Sequence, residues 1–162
     1  HKPGRIEVRD GTILLDKGSP MTGITYSRGD FPKIGYEVSL EAKKIDGDDF
    51  FCTTTFPVGD SWCSFVVGGW GGTTVGLSSI ASADASANET SKSKEFKRDQ
   101  WYRIRIKVTK DKIECWIDDE KMVNLDTADK KIGIRIECAP CKPFGIATYE
   151  TKAAVRKIQL RR

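Results

Sequence analysis

Histidine is nearly absent from this sequence, since His1 is the only one among 162 residues. Ser-His-Asp and Cys-His catalytic arrangements need an imidazole as general base, so the body of the chain cannot form them. Zinc and iron sites built from several histidines are excluded for the same reason. A copper site of the oxidative polysaccharide-cleaving kind, built on an N-terminal histidine, would need a second histidine that the sequence lacks.

Long apolar runs and a strong charge imbalance are also missing. No apolar segment reaches ~18 residues, so we expect no membrane insertion. Lys and Arg number 27 and Asp and Glu 23, which gives a formal net charge of +4. The basic residues are spread along the chain, and this small excess predicts an ordinary solvated surface rather than nucleic-acid binding. No signal peptide is visible in a chain that starts at His1.

The five cysteines form no recognisable metal site. Cys138 and Cys141 make a CxxC motif, but a second such motif and a neighbouring histidine are both missing, so a zinc site lacks its usual four ligands. Lys142-Pro143 follows directly and disfavours the helix that a redox CxxC motif normally opens. A loop disulfide and two free thiols both remain open for this pair.

Helical periodicity is not convincing anywhere, and alternation of apolar and polar residues takes its place. About a dozen short segments repeat with the period of two that is typical of β-strands. Asp10-Gly11 marks a tight hairpin, residues 132–137 are predicted as a strand, and residues 81–94 as a long loop. We therefore predict an all-β antiparallel fold, a sandwich or a barrel, in one domain spanning residues 1–162.

The segment from Phe50 to Gly72 is the most informative part of the chain. It contains two predicted strands, residues 50–56 and 62–67, and then Trp70 between two pairs of glycines. Glycine lets backbone or ligand approach closely because it has no Cβ. Trp70 is therefore either a core residue in a tight bend or a platform on which a ligand stacks.

A second hairpin is predicted around a two-residue turn at Lys110-Asp111. This turn fixes three cross-strand pairs, which are Arg105 with Trp116, Lys107 with Glu114 and Arg103 with Asp118. The first would be a cation–π contact and the other two would be ion pairs, so the register is chemically consistent.

Several motifs together resemble a family of bacterial domains that is common in planctomycetes, the 3-keto-disaccharide hydrolase-like domains. They include Asp49-Phe50-Phe51-Cys52, Val67-Gly68-Gly69-Trp70-Gly71-Gly72, Asn88-Glu89-Thr90, Trp101-Tyr102-Arg103-Ile104-Arg105, Trp116-Ile117-Asp118-Asp119 and Pro143-Phe144-Gly145-Ile146-Ala147-Thr148. The resemblance covers nearly the whole chain and is closest to the short version of the domain. The family is similar to concanavalin A-like lectins and glucanases, which implies a two-sheet jelly roll whose concave face holds sugar.

Carboxylates are the remaining candidates for acid–base chemistry. The Glu-x-Asp-x-x-Glu and Glu-x-Asp-x-Glu strand motifs of glucanases with this fold are absent. Their absence argues against conventional glycosidase activity. The activity that the resemblance implies removes a proton next to a ketone and so needs a base. Glu37, Glu41, Asp60 and Glu89 are the candidate bases, and Glu37 and Glu41 share one strand face.

Two sets of binding residues are predicted. The candidate carbohydrate-binding residues are Trp70, Trp116, Arg105 and Asp118. Indole rings stack on the C–H faces of sugars, and charged groups form hydrogen bonds with sugar hydroxyls. Asp84, Asn88 and Glu89 lie in the long loop and carry the oxygen ligands that calcium prefers. We expect no cofactor other than this candidate calcium ion.

Three functions are consistent with these features. The first is a carbohydrate-recognition or accessory module, with a carbohydrate as partner, in a larger secreted or periplasmic protein. The second is a hydrolase or lyase acting on 3-keto-glycosides, as the resemblance implies. The third is a structural or protein-interaction domain, which an exposed edge strand or an apolar patch would favour.

Overall fold

The structure, a computed structural model, describes residues 2–162 and consists of two antiparallel β-sheets. The first sheet has seven strands, which lie side by side in the order β1 (Ile6–Arg9), β2 (Thr12–Leu15), β13 (Lys152–Arg161), β4 (Tyr36–Asp46), β9 (Tyr102–Val108), β10 (Lys112–Ile117) and β11 (Glu120–Asp126). His1, and with it the question of an N-terminal copper site, lies outside the described residues.

The second sheet has six strands and covers one face of the first. Its order is β3 (Met21–Thr25), β12 (Gly145–Tyr149), β5 (Thr53–Val58), β6 (Ser61–Gly69), β7 (Thr74–Ser78) and β8 (Lys92–Ser93). The predicted all-β antiparallel sandwich is therefore confirmed. Among the described residues, no helix is long and apolar enough to cross a membrane.

The core lies between the two sheets and follows from the alternation along each strand. Val38 and Leu40 of β4 point inward from the seven-stranded sheet, and Phe56 and Phe65 point inward from the six-stranded sheet. All four side chains are at most 2% exposed. Because successive residues of a strand point to opposite faces, the polar residues between them line the two outer faces of the sandwich.

Both predicted hairpins are confirmed. Arg9 pairs with Thr12 across the Asp10-Gly11 turn. Glu114 pairs with Lys107 and Trp116 pairs with Arg105 in the second hairpin, as the Lys110-Asp111 turn requires.

The two predicted cross-strand ion pairs of the second hairpin are wrong, although its register is right. Glu114 pairs with Lys121 of the next strand at 2.6 Å, and Arg103 pairs with Asp119 at 2.5 Å. Asp118 instead accepts a hydrogen bond from the backbone N–H of Arg103 at 2.9 Å. Asp118 has a φ of 54°, which places it in the turn and directs its carboxylate back to the backbone.

The predicted strand at residues 132–137 is also wrong. Ile132 forms an isolated bridge to Ile80, and a 3₁₀ helix, Ile136–Cys141, begins where the strand was expected to continue. Ile132, Ile134 and Ile136 alternate with polar residues like a strand, but Ile136 is 87% exposed. The apolar alternation therefore does not reflect a buried sheet face here.

The 3₁₀ helix covers one end of the outer face of the six-stranded sheet. Cys138 and Cys141 pack there with Met21 and Ala147 in a small apolar cluster that is separate from the main core. Both thiols are free, which decides between the two alternatives left open for the CxxC motif. The candidate functional site lies on the same outer face.

Candidate functional site

A cleft of about 220 Å³ lies on the outer face of the six-stranded sheet, and we call it the Trp70 cleft. Thr53 of β5, Ser64 and Val66 of β6, and Ser78 of β7 form its floor. These side chains point outward because their neighbours along the strands, such as Phe65 and Leu77, point into the core. The floor is thus a row of small side chains, three of them hydroxyls.

Two of the floor hydroxyls have no hydrogen-bond partner within residues 2–162. The Oγ1 of Thr53 and the Oγ of Ser78 are buried and unpaired, whereas Ser64 shares a 2.8 Å hydrogen bond with Thr55. Leaving a buried polar group unpaired costs about 1–3 kcal/mol. A water molecule or a ligand hydroxyl at the floor of the cleft would remove this cost.

Trp70 lies at the rim of the cleft on a sharp turn. Its φ is 47°, and Gly68 and Gly71 beside it have φ values of 81° and 90°. The turn therefore runs through left-handed backbone conformations, which glycine adopts easily and tryptophan rarely does. The indole is 42% exposed, so Trp70 is not the core residue that one of the two interpretations of the sequence required.

Asp49 anchors this turn to the loop between β4 and β5. One carboxylate oxygen accepts the backbone N–H of Phe50 at 2.8 Å, and the other accepts that of Gly71 at 3.4 Å. Phe50 in turn packs against Tyr149, with ring centroids 5.6 Å apart. Asp49, Phe50 and Tyr149 all line the cleft, so the aromatic wall and the Trp70 turn are joined through one carboxylate.

Arg135 also lines the cleft and is held by two carboxylates. Its Nε and Nη2 donate to the two oxygens of Glu137 at 3.1 and 3.2 Å, and its Nη1 donates to Asp84 at 3.3 Å. The guanidinium carbon lies 5.6 Å from the centroid of the Trp70 ring. The hydrogen bond from Arg135 lowers the pKa of Glu137, and the hydrogen bond to Glu137 raises the pKa of Arg135. Both groups are therefore charged at neutral pH.

Cys138 contributes a protonated thiol to the cleft. Burial raises the pKa of Cys138, and a hydrogen bond with Ser64 offsets only part of that effect. The thiolate is the form that attacks substrates and binds metals. Cys138 therefore lines the wall as a small apolar side chain rather than as a nucleophile.

The other predicted carbohydrate-binding residues lie on the opposite side of the sandwich. Trp116 and Arg105 are on the outer face of the seven-stranded sheet, and Asp118 is in the turn that follows Trp116. Arg105 covers the Trp116 ring at 4.0 Å and Lys121 lies 5.4 Å from the same centroid. The structure therefore brings Trp116, Arg105 and Asp118 together but separates them from Trp70.

The four candidate bases do not converge. Glu41 pairs with Arg156 at 2.7 Å on the outer face of the seven-stranded sheet, where Glu37 also lies. Asp60 is on an exposed turn with Lys33 at 3.2 Å, and Glu89 pairs with Lys130 at 2.9 Å. None of them lines the Trp70 cleft.

The predicted calcium ligands also have protein partners. Asp84 binds Arg135, and Glu89 binds Lys130. The side-chain oxygen of Asn88 accepts the backbone N–H of Thr90 at 2.9 Å. A calcium ion at this loop would have to replace these partners, and the site stays a prediction.

Sequence reasoning missed most of the residues that line the Trp70 cleft. Arg135, Glu137 and Tyr149 lie far from Trp70 in the chain, and residues 132–137 were expected to form a strand. The other omissions are nearer to Trp70 or lie beside Glu137: Asp49, Phe50, Thr53, Ser64, Val66, Ser78 and Cys138.

Comparison with solved structures identifies the fold class. The fold is similar to the carbohydrate-binding module CBM66 from Bacillus subtilis, with a TM-score of 0.68 and 10% identity over 98% of this chain and 92% of that chain. It is also similar to SCLam, a non-specific endo-β-1,3(4)-glucanase from family GH16, with a TM-score of 0.57 and 10% identity over 98% of this chain and 74% of that chain. At such low identity these likenesses establish the jelly-roll fold alone.

A sequence match identifies the family to which the chain belongs. Residues 4–161 match the 3-keto-alpha-glucoside-1,2-lyase-like domain, so the chain belongs to this family. A further structural likeness is to alginate lyase AlgAT5 from polysaccharide lyase family 7, with a TM-score of 0.57 and 8% identity over 96% of this chain and 81% of that chain. A search of curated proteins gives no match.

Proposed function

We propose that this domain is a carbohydrate-recognition module and that its ligand binds in the Trp70 cleft. The observation that carries the proposal is the exposed Trp70 ring at the rim of a cleft whose floor presents the unpaired hydroxyls of Thr53 and Ser78. An exposed aromatic face beside converging polar groups is the usual composition of a sugar site.

The cleft offers each kind of contact that a sugar ring needs. The indole of Trp70 stacks on the C–H face of the ring, and the carboxylates of Asp49 and Glu137 accept hydroxyl hydrogen bonds. Arg135 has five N–H donors, of which three are taken by Glu137 and Asp84, so two remain for ligand oxygens. Hydrogen bonds to charged groups are about twice as strong as neutral ones.

The fold supports this proposal, because the similar structures include a carbohydrate-binding module and enzymes named for polysaccharide cleavage. We expect the domain to be part of a larger secreted or periplasmic protein and to keep that protein bound to its target glycan. In this proposal the carbohydrate is the partner, and the outer face of the seven-stranded sheet, with Trp116, is a structural surface.

Binding to a glycan array, followed by calorimetry on the glycans that bind, tests the proposal. Trp70→Ala should weaken binding by about 2 kcal/mol, or about 30-fold in Kd, because it removes the stacking surface. Trp116→Ala is the matched control and should leave binding unchanged. The reverse result, with binding lost only in Trp116→Ala, would move the site to the opposite face. No binding to any glycan would reject the proposal.

A second candidate function is a lyase or hydrolase acting on 3-keto-glycosides, which the family's name suggests. The observation that favours it is the pair of carboxylates, Asp49 and Glu137, in the same cleft as Tyr149. Removing a proton next to a ketone needs a base, and a carboxylate with a lowered pKa is a weak one. Glu137 is therefore a poor choice, and Asp49 is the base to test. Incubation with a 3-keto-glucoside should release the aglycone, and Asp49→Asn should abolish this release.

A further inference from the structure

The charged side chains around the Trp70 cleft include more carboxylates than cations, which disfavours an anionic ligand. We infer that the Trp70 cleft selects uncharged sugars and rejects uronic acids, with Glu137 as the residue that sets this preference. The inference rests on the proposed function and names the class of sugar that the cleft takes.

Arg135 is the only cation among the described residues that line the cleft, and its charge is already compensated. Glu137 binds it through two hydrogen bonds and Asp84 through a third. The side chain of Asp84 is 30% exposed and that of Arg135 is 42% exposed, so this ion pair lies at the partly solvated edge of the cleft. The guanidinium therefore presents two N–H donors to the cleft, but its positive charge is shared between two carboxylates.

The remaining charged group in the cleft is also an acid. Asp49 also lines the cleft, with each of its two oxygens accepting one backbone N–H. Lys131 lines the adjoining depression with Asp84, Arg135 and Glu137 but does not line the Trp70 cleft. Counting Asp84, which binds Arg135 from the adjoining depression, the cleft and its edge hold three carboxylates and one guanidinium.

A uronic acid differs from its neutral counterpart by a carboxylate in place of the C6 hydroxymethyl group. Inside the cleft this carboxylate would face Asp49 and Glu137 and would have no uncompensated cation to pair with. Burying an unpaired charge is costly, and bringing like charges together across an interface adds to that cost. A neutral hydroxyl has neither problem, because it donates to the carboxylates and accepts from Arg135.

Glu137 controls this balance because it makes the two-point contact with Arg135. Glu137→Gln keeps the shape of the side chain but removes its charge. Arg135 would then be compensated by Asp84 alone and would become a partner for a carboxylate, since guanidinium and carboxylate match in a two-point geometry. Glu137 acts through Arg135 and is a specificity-determining residue.

The test compares neutral glycans with their C6-oxidised uronate counterparts, for example glucosides with glucuronides and galactosides with galacturonides. The wild-type domain should bind each uronate at least about tenfold more weakly than its neutral counterpart. Glu137→Gln should reduce the ratio of the uronate Kd to the neutral-glycan Kd to about threefold or less. Glu95→Gln removes the same charge from an exposed site outside the cleft and should leave the ratio unchanged.

Salt gives a second measurement that needs no variant. Raising NaCl from about 0.05 M to about 0.5 M shortens the Debye length and screens the repulsion between ligand and cleft carboxylates. The ratio of the uronate Kd to the neutral-glycan Kd should therefore fall for the wild-type domain. Equal binding of neutral and uronate members at low salt would overturn the inference, as would an unchanged ratio in Glu137→Gln with neutral binding intact. Absence of binding to every member would overturn the proposed function as well.

Discussion

The guanidinium of Arg105 lies over the ring of Trp116, with its central carbon 4.0 Å from the ring centroid. The two residues are directly opposite each other on β9 and β10, so the register of the hairpin creates the contact. The indole is half-buried beneath the cation. The arrangement protects an aromatic ring on a solvated sheet face and stabilises the hairpin.

Replacing Arg105 with Ala should therefore lower the free energy of unfolding by about 0.5–1 kcal/mol, the usual strength of an exposed cation–π contact. Urea unfolding followed by tryptophan fluorescence measures this change. Lys107→Ala is the control, because Lys107 lies on the same strand and face but opposite Glu114. Equal losses in the two variants would show that the Trp116 contact contributes nothing.

The stability of the domain should fall at acid pH in part because of Glu137. Arg135 lowers the folded-state pKa of Glu137 below its ordinary value of 4.5, so the unfolded chain binds more protons in that range. Stability from this pair is complete above pH 4.5 and is lost as the pH falls through the lowered value. Glu137→Gln should make the melting temperature less dependent on pH below 4.5, and an unchanged pH profile would contradict this.

The five thiols should be unreactive in the folded protein. Burial raises the pKa of Cys63 to about 12 and that of Cys141 to about 11, and it raises the pKa values of Cys52, Cys115 and Cys138 as well. At pH 8 the thiolate fraction of Cys141 is on the order of one in a thousand. A colorimetric thiol reagent should give almost no signal before denaturation and five equivalents after it. A fast-reacting native thiol would contradict the burial of these residues.

Gly47 should tolerate no side chain, because it packs against the segment that supports Asp49. A Cβ on Gly47 would lie 2.7 Å from the Cα of Thr151, whose hydroxyl accepts the backbone N–H of Asp49 at 3.2 Å. Gly47→Ala should cost about 1–2 kcal/mol for its positive φ and a further 1–3 kcal/mol, roughly, for the clash. Thermal unfolding measures the sum.

Gly11→Ala is the control for that clash. Its φ is also positive, at 75°, but no atom lies within 4 Å of the added Cβ. It should show only the conformational cost of about 1–2 kcal/mol. If both alanine variants melt at the same temperature, the packing of Gly47 against Thr151 has no energetic consequence.

The sequence predicts the fold better than the site, and the reason is the range of the interactions. The period of two and the turns at Asp10-Gly11 and Lys110-Asp111 are local, so the hairpins and their register could be read directly. Local alternation was misleading only at residues 132–137, where isoleucines alternate without a sheet face to cover them.

The Trp70 cleft, in contrast, is assembled from segments that lie far apart in the chain. Trp70 could be recognised as a candidate because its glycines are adjacent to it. Arg135 and Glu137 belong to the cleft only because the loop between β11 and β12 folds over β5, β6 and β7. The order of strands in the six-stranded sheet decides this contact, and no pattern within a short window specifies that order.

The left-handed backbone at Trp70 has a consequence for protein engineering. A bulky residue with a φ of 47° carries strain that glycine or asparagine at the same position would not. A library randomised at position 70 and selected for heat resistance should therefore converge on glycine or asparagine, whereas one selected for ligand retention should return to tryptophan. Stability and binding would pull this position in opposite directions, so a thermostable version of the domain should be built with position 70 held fixed.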